Sequence, residues 1–182
     1  GAVLRMLIDK QILCEEERPI SRLRQYDGAR CAAHDLDEQQ QQALAAIHQS
    51  WESKTVTLLH GVTSSGKTEV YIHLIEEALK RGEQVLYLVP EIALTTQLTD
   101  RLRSVFGNQV LVYHSRFSSS ERVEIYHEVR GAGGKVIIGA RSAIFLPFHD
   151  LRLIIVDEEH EPSYKQQDPA PRYHGRSAAI MM

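Results

Sequence analysis

The sequence predicts an α/β domain built on a doubly wound, mainly parallel sheet. Three observations lead to this class. Short apolar runs rich in β-branched residues recur along the chain, helical patterns lie between them, and the 182-residue composition, 43% hydrophobic and 25% charged, is that of an ordinary globular protein. Because crossovers between parallel strands are right-handed, such alternation covers both faces of one sheet with helices. Ligands then bind at the carboxyl ends of the strands.

The start of the chain is expected to be an appendage to this sheet. Apolar residues at helical spacing predict a short helix over residues 2–13. The polar stretch that follows, broken at Pro19, is interpreted as a linker over residues 14–35. We therefore expect residues 1–35 to be the remnant of an upstream domain plus a linker, and residues 36–182 to form the α/β lobe.

Two helix starts are marked by side chains that can cap them. Asp37, followed three residues later by Gln40, forms a capping box that predicts a helix running to about Trp51. Ser118 and Glu121 form a second box of the same kind. These local signals fix where two helices begin.

Strands and further helices are expected to alternate after the first capped helix. The runs predicted to be strands are 55–59, 84–89, 109–113, 135–139 and 151–156. The helical patterns between them cover 69–82, 93–107 and 118–131. The glycine-rich stretch 131–134 leads from a helix into a strand, so we interpret it as a flexible turn rather than a second phosphate loop.

Charge and composition narrow the function classes. The formal net charge is −3, so no global positive field draws the chain to nucleic acid, and any such binding must be local. No apolar run approaches the roughly 20 residues that cross a bilayer, so no membrane partner is expected. Two cysteines cannot build a disulfide framework and suit a reducing compartment. We expect a cytoplasmic protein.

A phosphate-binding loop is predicted directly after the first apolar run. Residues 61–68, GVTSSGKT, match G-x-x-x-x-G-K-[ST] between a predicted strand and a predicted helix. Gly61 and Gly66 let the backbone curl so that amides point at an anion, and the helix N-terminus adds partial positive charge. Lys67 is expected to contact the β and γ phosphates of ATP, and the Thr68 hydroxyl to join the Mg²⁺ shell. The residues expected to hold the nucleotide are Gly61, Thr63, Ser64, Ser65, Gly66, Lys67 and Thr68.

An acidic cluster is predicted at the carboxyl edge of the last strand. The run 151–156 ends in DEEH, which places carboxylates where a nucleotide would lie. Asp157 fits a ligand of Mg²⁺, and Glu158 fits the group that orients and deprotonates the attacking water. Lys67, Asp157 and Glu158 are thus the expected catalytic residues.

These two motifs resemble those of the superfamily 2 helicases and DNA translocases, and longer strings resemble the primosomal replication-restart helicases among them. The strings are GVTSSGKTEVY (61–71), LVPEIALTTQ (88–97), YHSRFSSSER (113–122), IIGARSAIFLPF (137–148), IIVDEEHEPSYKQQ (154–167) and RYHGR (172–176). The resemblance covers about residues 36–182. It implies the first RecA-like, P-loop NTPase lobe of an ATP-dependent DNA helicase that acts in replication-fork restart.

The resemblance also implies roles for individual residues. Gln40 matches a glutamine that recognises adenine, although its glutamine neighbours at 39, 41 and 42 leave the register open. Contacts to single-stranded DNA are implied for Thr95, His114, Ser115, Arg141 and Ser142.

The stretch after DEEH interleaves aromatic and basic side chains, in the manner of the loop that couples DNA contact to ATP hydrolysis in this family. Bases stack on the faces of aromatic rings, while basic side chains form ion pairs with the phosphates. The residues expected to contact DNA there are Tyr164, Lys165, Arg172, Tyr173 and Arg176.

The whole protein is implied to use ATP and Mg²⁺ on single-stranded and forked DNA, and to contact single-strand binding and primosome-loading proteins. Zinc is expected only in downstream segments. Because family members complete the site with an arginine from a second lobe, this lobe alone is expected to bind nucleotide weakly and to turn over little. Two other interpretations stay open. One is a P-loop kinase of a small metabolite, for which we find neither lid nor catalytic arginine; the other is a DNA-binding module in which nucleotide plays no part.

Overall fold

Four parallel strands form the sheet in the computed structural model, which describes residues 2–14, 23, 26–62, 65–90, 96–114 and 117–182. The strands are β1 (Gln84–Leu88), β2 (Val110–Tyr113), β3 (Val136–Gly139) and β4 (Leu151–Val156). Their order across the sheet is β2-β3-β1-β4, and each neighbouring pair is parallel. In register, Leu86 of β1 lies between Ile137 of β3 and Ile154 of β4. The predicted α/β class is confirmed.

Helices cover both faces of this sheet. They are α1 (Ala2–Asp9), α2 (Glu38–Trp51), α3 (Lys67–Lys80), α4 (Thr96–Phe106), α5 (Ser119–Arg130) and α6 (Gly175–Met181). Side chains alternate along β1, so Val85 and Tyr87 pack with α3 and α4, while Leu86 and Leu88 pack with α5. Two buried clusters on opposite faces make the sheet doubly wound, as the alternating pattern predicts.

Both predicted capping boxes are present. The Asp37 carboxylate accepts from the Gln40 amide at 2.8 Å, and the Gln40 side chain accepts from the Asp37 amide at 2.9 Å. Ser118 and Glu121 make the matching pair at the start of α5. The helix after the first box ends at Trp51, where the sequence predicts its end.

The prediction of a strand over residues 55–59 is wrong. Leu58 is 72% exposed and Val56 is also exposed, while Leu59 packs against the core. The Thr57 hydroxyl donates to Ser50 at 2.8 Å, which ties this run to the end of α2 instead of to the sheet. Within the described part of the chain, the outer edge of β4 therefore has no partner strand.

The N-terminal helix is shorter than predicted and presents its apolar side chains to solvent. It ends at Asp9 instead of continuing to residue 13, and Val3 and Leu4 are exposed. None of the helices in the described ranges is long and apolar enough to cross a membrane.

Part of the segment predicted to be a linker lies along the body of the lobe. The Cys31 amide donates to the Ser104 carbonyl at 2.7 Å, and the Tyr26 amide donates to the Asn108 side chain at 2.7 Å. These contacts attach the second half of the segment to the end of α4. The division at residue 35 into appendage and lobe stays a prediction.

Candidate functional site

The strand order brings the predicted functional segments to one edge of the sheet. β1 lies between β3 and β4, so the residues that follow β3 and β4 flank its carboxyl end. Pairing continues one residue past the strands, because the Asp157 amide donates to the Leu88 carbonyl at 2.9 Å and the Val89 amide donates to the Gly139 carbonyl at 3.0 Å. Asp157 therefore begins the turn at this edge in a fixed position.

In the described part of the predicted phosphate loop, backbone carbonyls bind the side chain of the loop's own lysine, Lys67. Gly66 has a positive φ of 74° and caps the N-terminus of α3, so the helix begins at Lys67. The Lys67 ammonium donates to the carbonyls of Gly61 at 2.7 Å and Val62 at 2.9 Å. These two carbonyls hold the ammonium charge beside the loop. Thr63 and Ser64, two of the predicted phosphate contacts, lie outside the described residues.

Gln40 contacts the end of this loop. Its amide nitrogen lies 3.4 Å from the Gly66 carbonyl oxygen, and a Cβ at Gly66 would lie only 2.2 Å from the same nitrogen. The positive φ favours glycine at 66, and a larger residue there would also displace the end of the Gln40 side chain. Gln41 and Gln42 instead donate to atoms at the start of α2. Adenine recognition by Gln40 stays a prediction.

One cleft joins the loop to the acidic turn. The residues that line it include Gly61, Ser65, Gly66, Lys67 and Thr68 from the loop and Asp157 and Glu158 from the end of β4. The lysine and the carboxylates, which the sequence places 90 residues apart, thus face the same space. A magnesium-bound triphosphate needs a cation and carboxylates on one such cleft.

Asp157 is held by hydrogen bonds that sequence reasoning missed. The Tyr87 hydroxyl donates to its carboxylate at 3.1 Å, and the Tyr164 hydroxyl donates to its backbone carbonyl at 2.6 Å. Tyr71 packs edge-on against Tyr87, with ring centroids 5.7 Å apart. A tyrosine inside an apolar strand run is a usable signal, because a buried hydroxyl needs a partner.

Burial keeps these hydroxyls protonated. It raises the pKa of Tyr87 well above its ordinary value, and the negative charge of Asp157 raises it further. The same two causes raise the pKa of Tyr71 to about 12 and that of Tyr164 higher still. Tyr87 and Tyr164 therefore remain donors to Asp157 throughout the neutral range.

The raised pKa of Tyr71 predicts a loss of stability in alkali. The ordinary pKa of a tyrosine is 10.0 and that of Tyr71 in the fold is about 12, so the stabilisation is complete below pH 10 and is lost as pH rises towards 12. The loss is on the order of 2 to 3 kcal/mol in the free energy of unfolding. Urea unfolding on either side of this interval measures it. The free energy of unfolding of Tyr71→Phe should fall less over the same pH interval. An equally steep fall in the variant would show that Tyr71 is not the group responsible.

Glu158 has a strained backbone. Its φ is +46°, a left-handed value that costs a residue with a side chain on the order of 1 to 3 kcal/mol. The turn is closed by the Glu161 amide, which donates to the Glu158 carbonyl at 2.9 Å. Strain of this kind in a non-glycine residue is concentrated at functional sites. The left-handed conformation of Glu158 turns the chain away from the direction of β4 directly after Asp157.

The oxygen donors in the cleft suit Mg²⁺ that arrives with a nucleotide. Mg²⁺ takes one or two protein oxygens and completes its shell with phosphate oxygens and water. The Asp157 carboxylate and the Thr68 hydroxyl are such donors. In the described ranges, no group of three or more histidine, cysteine or acidic side chains could hold a metal without that help.

Some of the predicted DNA contacts near β3 make contacts within the protein that support neighbouring segments. Arg141 donates to the backbone carbonyls of Ser163 at 2.8 Å and Lys165 at 3.2 Å, so it supports the chain after the acidic turn. Ser142 is half-buried. His114 packs on Phe117, with ring centroids 3.8 Å apart. The predicted contacts Thr95 and Ser115 lie outside the described residues.

Tyr164 does not occupy the position that base stacking requires. It is 1% exposed and lies in the core cluster that contains Leu86 and Ile137. The prediction assumed a surface loop because prolines and charges surround this residue in the sequence. The ring instead fills the face of the sheet beneath α6, so neither of its faces is free for a base.

The other residues of the stretch from 162 to 174, hereafter the aromatic loop, are more accessible. Lys165 and Arg172 are exposed, and Arg172 lies 3.5 Å from Asp168. Tyr173 is half-buried. Arg176, just beyond the loop, forms an ion pair with Glu159 of the acidic turn. The start of α6, directly after the loop, is therefore linked to the acidic turn at the predicted nucleotide cleft.

Comparison with known proteins identifies relatives of this chain. The model of the DEAD/DEAH box helicase family matches residues 37–178. Replication restart protein PriA from Bacillus subtilis is 41% identical over 99% of this chain, and the protein of the same name from Haemophilus influenzae is 46% identical over 83% of it. The matches cover 23% and 21% of those two proteins, so this chain spans less than a quarter of their length.

A solved structure shares the fold. It is a nuclease-deletion mutant of the Type ISP restriction-modification enzyme LlaGI in complex with a DNA substrate mimic. The TM-score is 0.55 at 19% identity, over 71% of this chain and 16% of that one. At this identity the likeness concerns the arrangement of helices and strands.

Proposed function

Because this chain belongs to the DEAD/DEAH box helicase family, we propose that it is the nucleotide-binding, RecA-like lobe of an ATP-driven DNA helicase that acts in replication restart. The observation that carries the proposal is the cleft shared by Lys67 and Asp157. The relatives named as replication restart proteins support the biological role. Neither alternative, a metabolite kinase or a nucleotide-independent DNA module, has comparable support.

In this proposal the lobe binds the nucleotide phosphates at the start of α3. The amides of the loop and the Lys67 ammonium contact phosphate oxygens, and the lysine leaves the Gly61 and Val62 carbonyls as it does so. Thr68 and Asp157 hold Mg²⁺, which when bound neutralises charge on the phosphates. Tyr87 keeps the Asp157 carboxylate oriented towards the cleft. Gln40, at the end of the loop, lies beside the site where adenine would bind.

Glu158 is the proposed general base. It lies next to Asp157 on the same cleft and is exposed to solvent. Because its φ is positive, its backbone no longer follows the direction of β4. A carboxylate in this position can accept the proton of the attacking water. Lys67 stabilises the negative charge that develops on the phosphates, together with an arginine from a second lobe of the complete protein.

Single-stranded DNA is proposed to bind at the same edge of the sheet, over the segments that follow β2, β3 and β4. The described residues involved are His114, Arg141, Ser142, Lys165, Arg172, Tyr173 and Arg176, while Thr95 and Ser115, which lie outside the described residues, are proposed from the family resemblance alone. Tyr164 connects this surface to the nucleotide, because its hydroxyl donates to the backbone of Asp157. Arg176 also connects this surface to the acidic turn, through its ion pair with Glu159. Movement of the aromatic loop on DNA would therefore reach the metal ligand directly.

The same proposal covers the whole protein. It uses ATP and Mg²⁺ in the cytoplasm, acts on single-stranded and forked DNA, and contacts single-strand binding and primosome-loading proteins. Sequence similarity to the replication restart proteins supports these points.

Glu158→Gln in the full-length protein tests the assignment of the base. We expect ATP hydrolysis stimulated by single-stranded DNA to fall by about 10²- to 10⁴-fold, because the amide cannot accept the proton. Binding of a fluorescent ATP analogue should be unchanged. Glu161→Gln, three residues along the same turn, is the matched control and should hydrolyse ATP as the parent does. Unchanged hydrolysis in Glu158→Gln would remove Glu158 from the mechanism.

A further inference from the structure

Phe145 presents an aromatic ring to solvent from a firmly held backbone. It is 67% exposed and ends a short 3-10 helix, Arg141–Phe145. The two residues before it, Ala143 and Ile144, are buried in the core, and the Leu146 amide donates to the Ala143 carbonyl at 3.1 Å. The buried neighbours fix the backbone, so the ring is held outward. Phe145 lies in the string 137–148 that carries the family resemblance, which implies DNA contacts for Arg141 and Ser142 but assigns no role to Phe145.

Tyr173 of the aromatic loop packs against Phe145. The ring centroids are 4.9 Å apart at an interplanar angle of 75°, an edge-to-face arrangement. Tyr173 is itself fixed, because its carbonyl accepts from the Gln166 amide at 2.9 Å and the next residue, His174, bridges to Lys165. Tyr173, on a held backbone, thus supports the ring of Phe145 from a separate element, and the two rings are hereafter the aromatic surface.

Basic side chains lie on the loop that carries Tyr173 and beside Tyr173 itself. Lys165 and Arg172 are exposed on the aromatic loop that carries Tyr173. Arg141 lies beside Tyr173: burial raises the pKa of the Tyr173 hydroxyl, and the Arg141 charge opposes that shift. The surface therefore offers a ring face to a planar group and cations to an anionic backbone. An acidic peptide would satisfy the cations alone, whereas a single strand of nucleic acid satisfies both.

We infer that the exposed ring of Phe145 stacks one unpaired base of a bound single strand, while Tyr173 packs against that ring and supports it. A duplex does not offer this contact, because its bases already stack on one another. The inference rests on the proposed DNA-binding function and adds to it a base-contacting residue outside the aromatic loop. Phe145 recognises a base face and not a phosphate, so its contribution should depend little on salt.

Fluorescence anisotropy of a labelled oligothymidylate with the full-length protein tests this inference. Phe145→Ala should weaken binding about five- to 150-fold, the range for removal of one aromatic base contact. Phe145→Tyr keeps the ring and should bind as the parent does. Tyr126→Ala, an exposed tyrosine on α5 at a distance from this edge, is the matched control. On an oligomer of the same length made of abasic sites, Phe145→Ala and the parent should bind equally.

The salt dependence separates stacking from charge. The slope of log affinity against log salt should be unchanged in Phe145→Ala, and should fall by about one in Arg172→Ala. Normal binding of oligothymidylate by Phe145→Ala, or an equal loss on the abasic oligomer, would overturn the inference. Failure of the parent protein to bind any single strand would instead overturn the proposed function itself.

Discussion

Replacing Tyr164 by alanine is expected to lower the free energy of unfolding by about 3 to 5 kcal/mol, the cost of removing a large ring from a packed core. The ring is 1% exposed and packs among strand residues such as Leu86. For a domain of this size the change corresponds to a fall in melting temperature of roughly 6 to 20 °C. Thermal or urea unfolding followed by circular dichroism measures it.

Two further substitutions show what the Tyr164 side chain contributes. Tyr164→Phe keeps the ring but removes the hydroxyl that donates to Asp157, and should cost only about 1 kcal/mol. Tyr126→Ala, at an exposed position on α5, should change stability by less than about 0.5 kcal/mol. If Tyr164→Ala left stability unchanged and weakened only DNA binding, Tyr164 would be a surface stacking residue after all.

Replacing Lys67 by alanine is expected to raise the dissociation constant for ATP with Mg²⁺ by about 10- to 150-fold. The reason is the loss of charge-assisted hydrogen bonds to phosphate, worth about 1.5 to 3 kcal/mol. The fold should survive, because the ammonium donates to the carbonyls of Gly61 and Val62 in the exposed loop and not to the core. Titration with a fluorescent ATP analogue measures the change.

The control for Lys67 lies on the same helix. Lys80 ends α3, is exposed, and pairs with Glu76 one turn away at 3.2 Å. Lys80→Ala removes the same charge at the far end of the helix and should leave the affinity for ATP unaltered. Equal affinity in Lys67→Ala and its parent would favour a DNA-binding module in which nucleotide plays no part.

The parts of the fold that could be predicted well from the sequence are those decided by neighbours in the chain. The caps at Asp37 and Ser118 depend on a side chain and an amide three residues away, and both are present. The carboxyl-edge location of Asp157 also follows from the sequence. It needs only that its strand be parallel to the others, which the structure shows although a short 3-10 helix and not an α-helix connects β3 to β4.

The features that could not be predicted depend on partners far along the chain. The run 55–59 has strand-like composition, but whether it pairs depends on β4, almost 100 residues later, and Thr57 bonds to Ser50 instead. Tyr87 sits in a typical buried strand, and only the fold reveals that its hydroxyl meets Asp157. Tyr164 looks exposed among prolines and charges, and tertiary packing alone places it in the core.

The unpaired side of β4 has a consequence for how molecules of this chain behave together in concentrated solution. An open row of strand amides and carbonyls invites a strand from a second molecule, which leads to aggregation. Arg152 lies in β4 with its charge exposed and paired to Asp150 at 2.7 Å. A second strand laid over this exposed ion pair would have to remove its water, which disfavours the joining of two such edges.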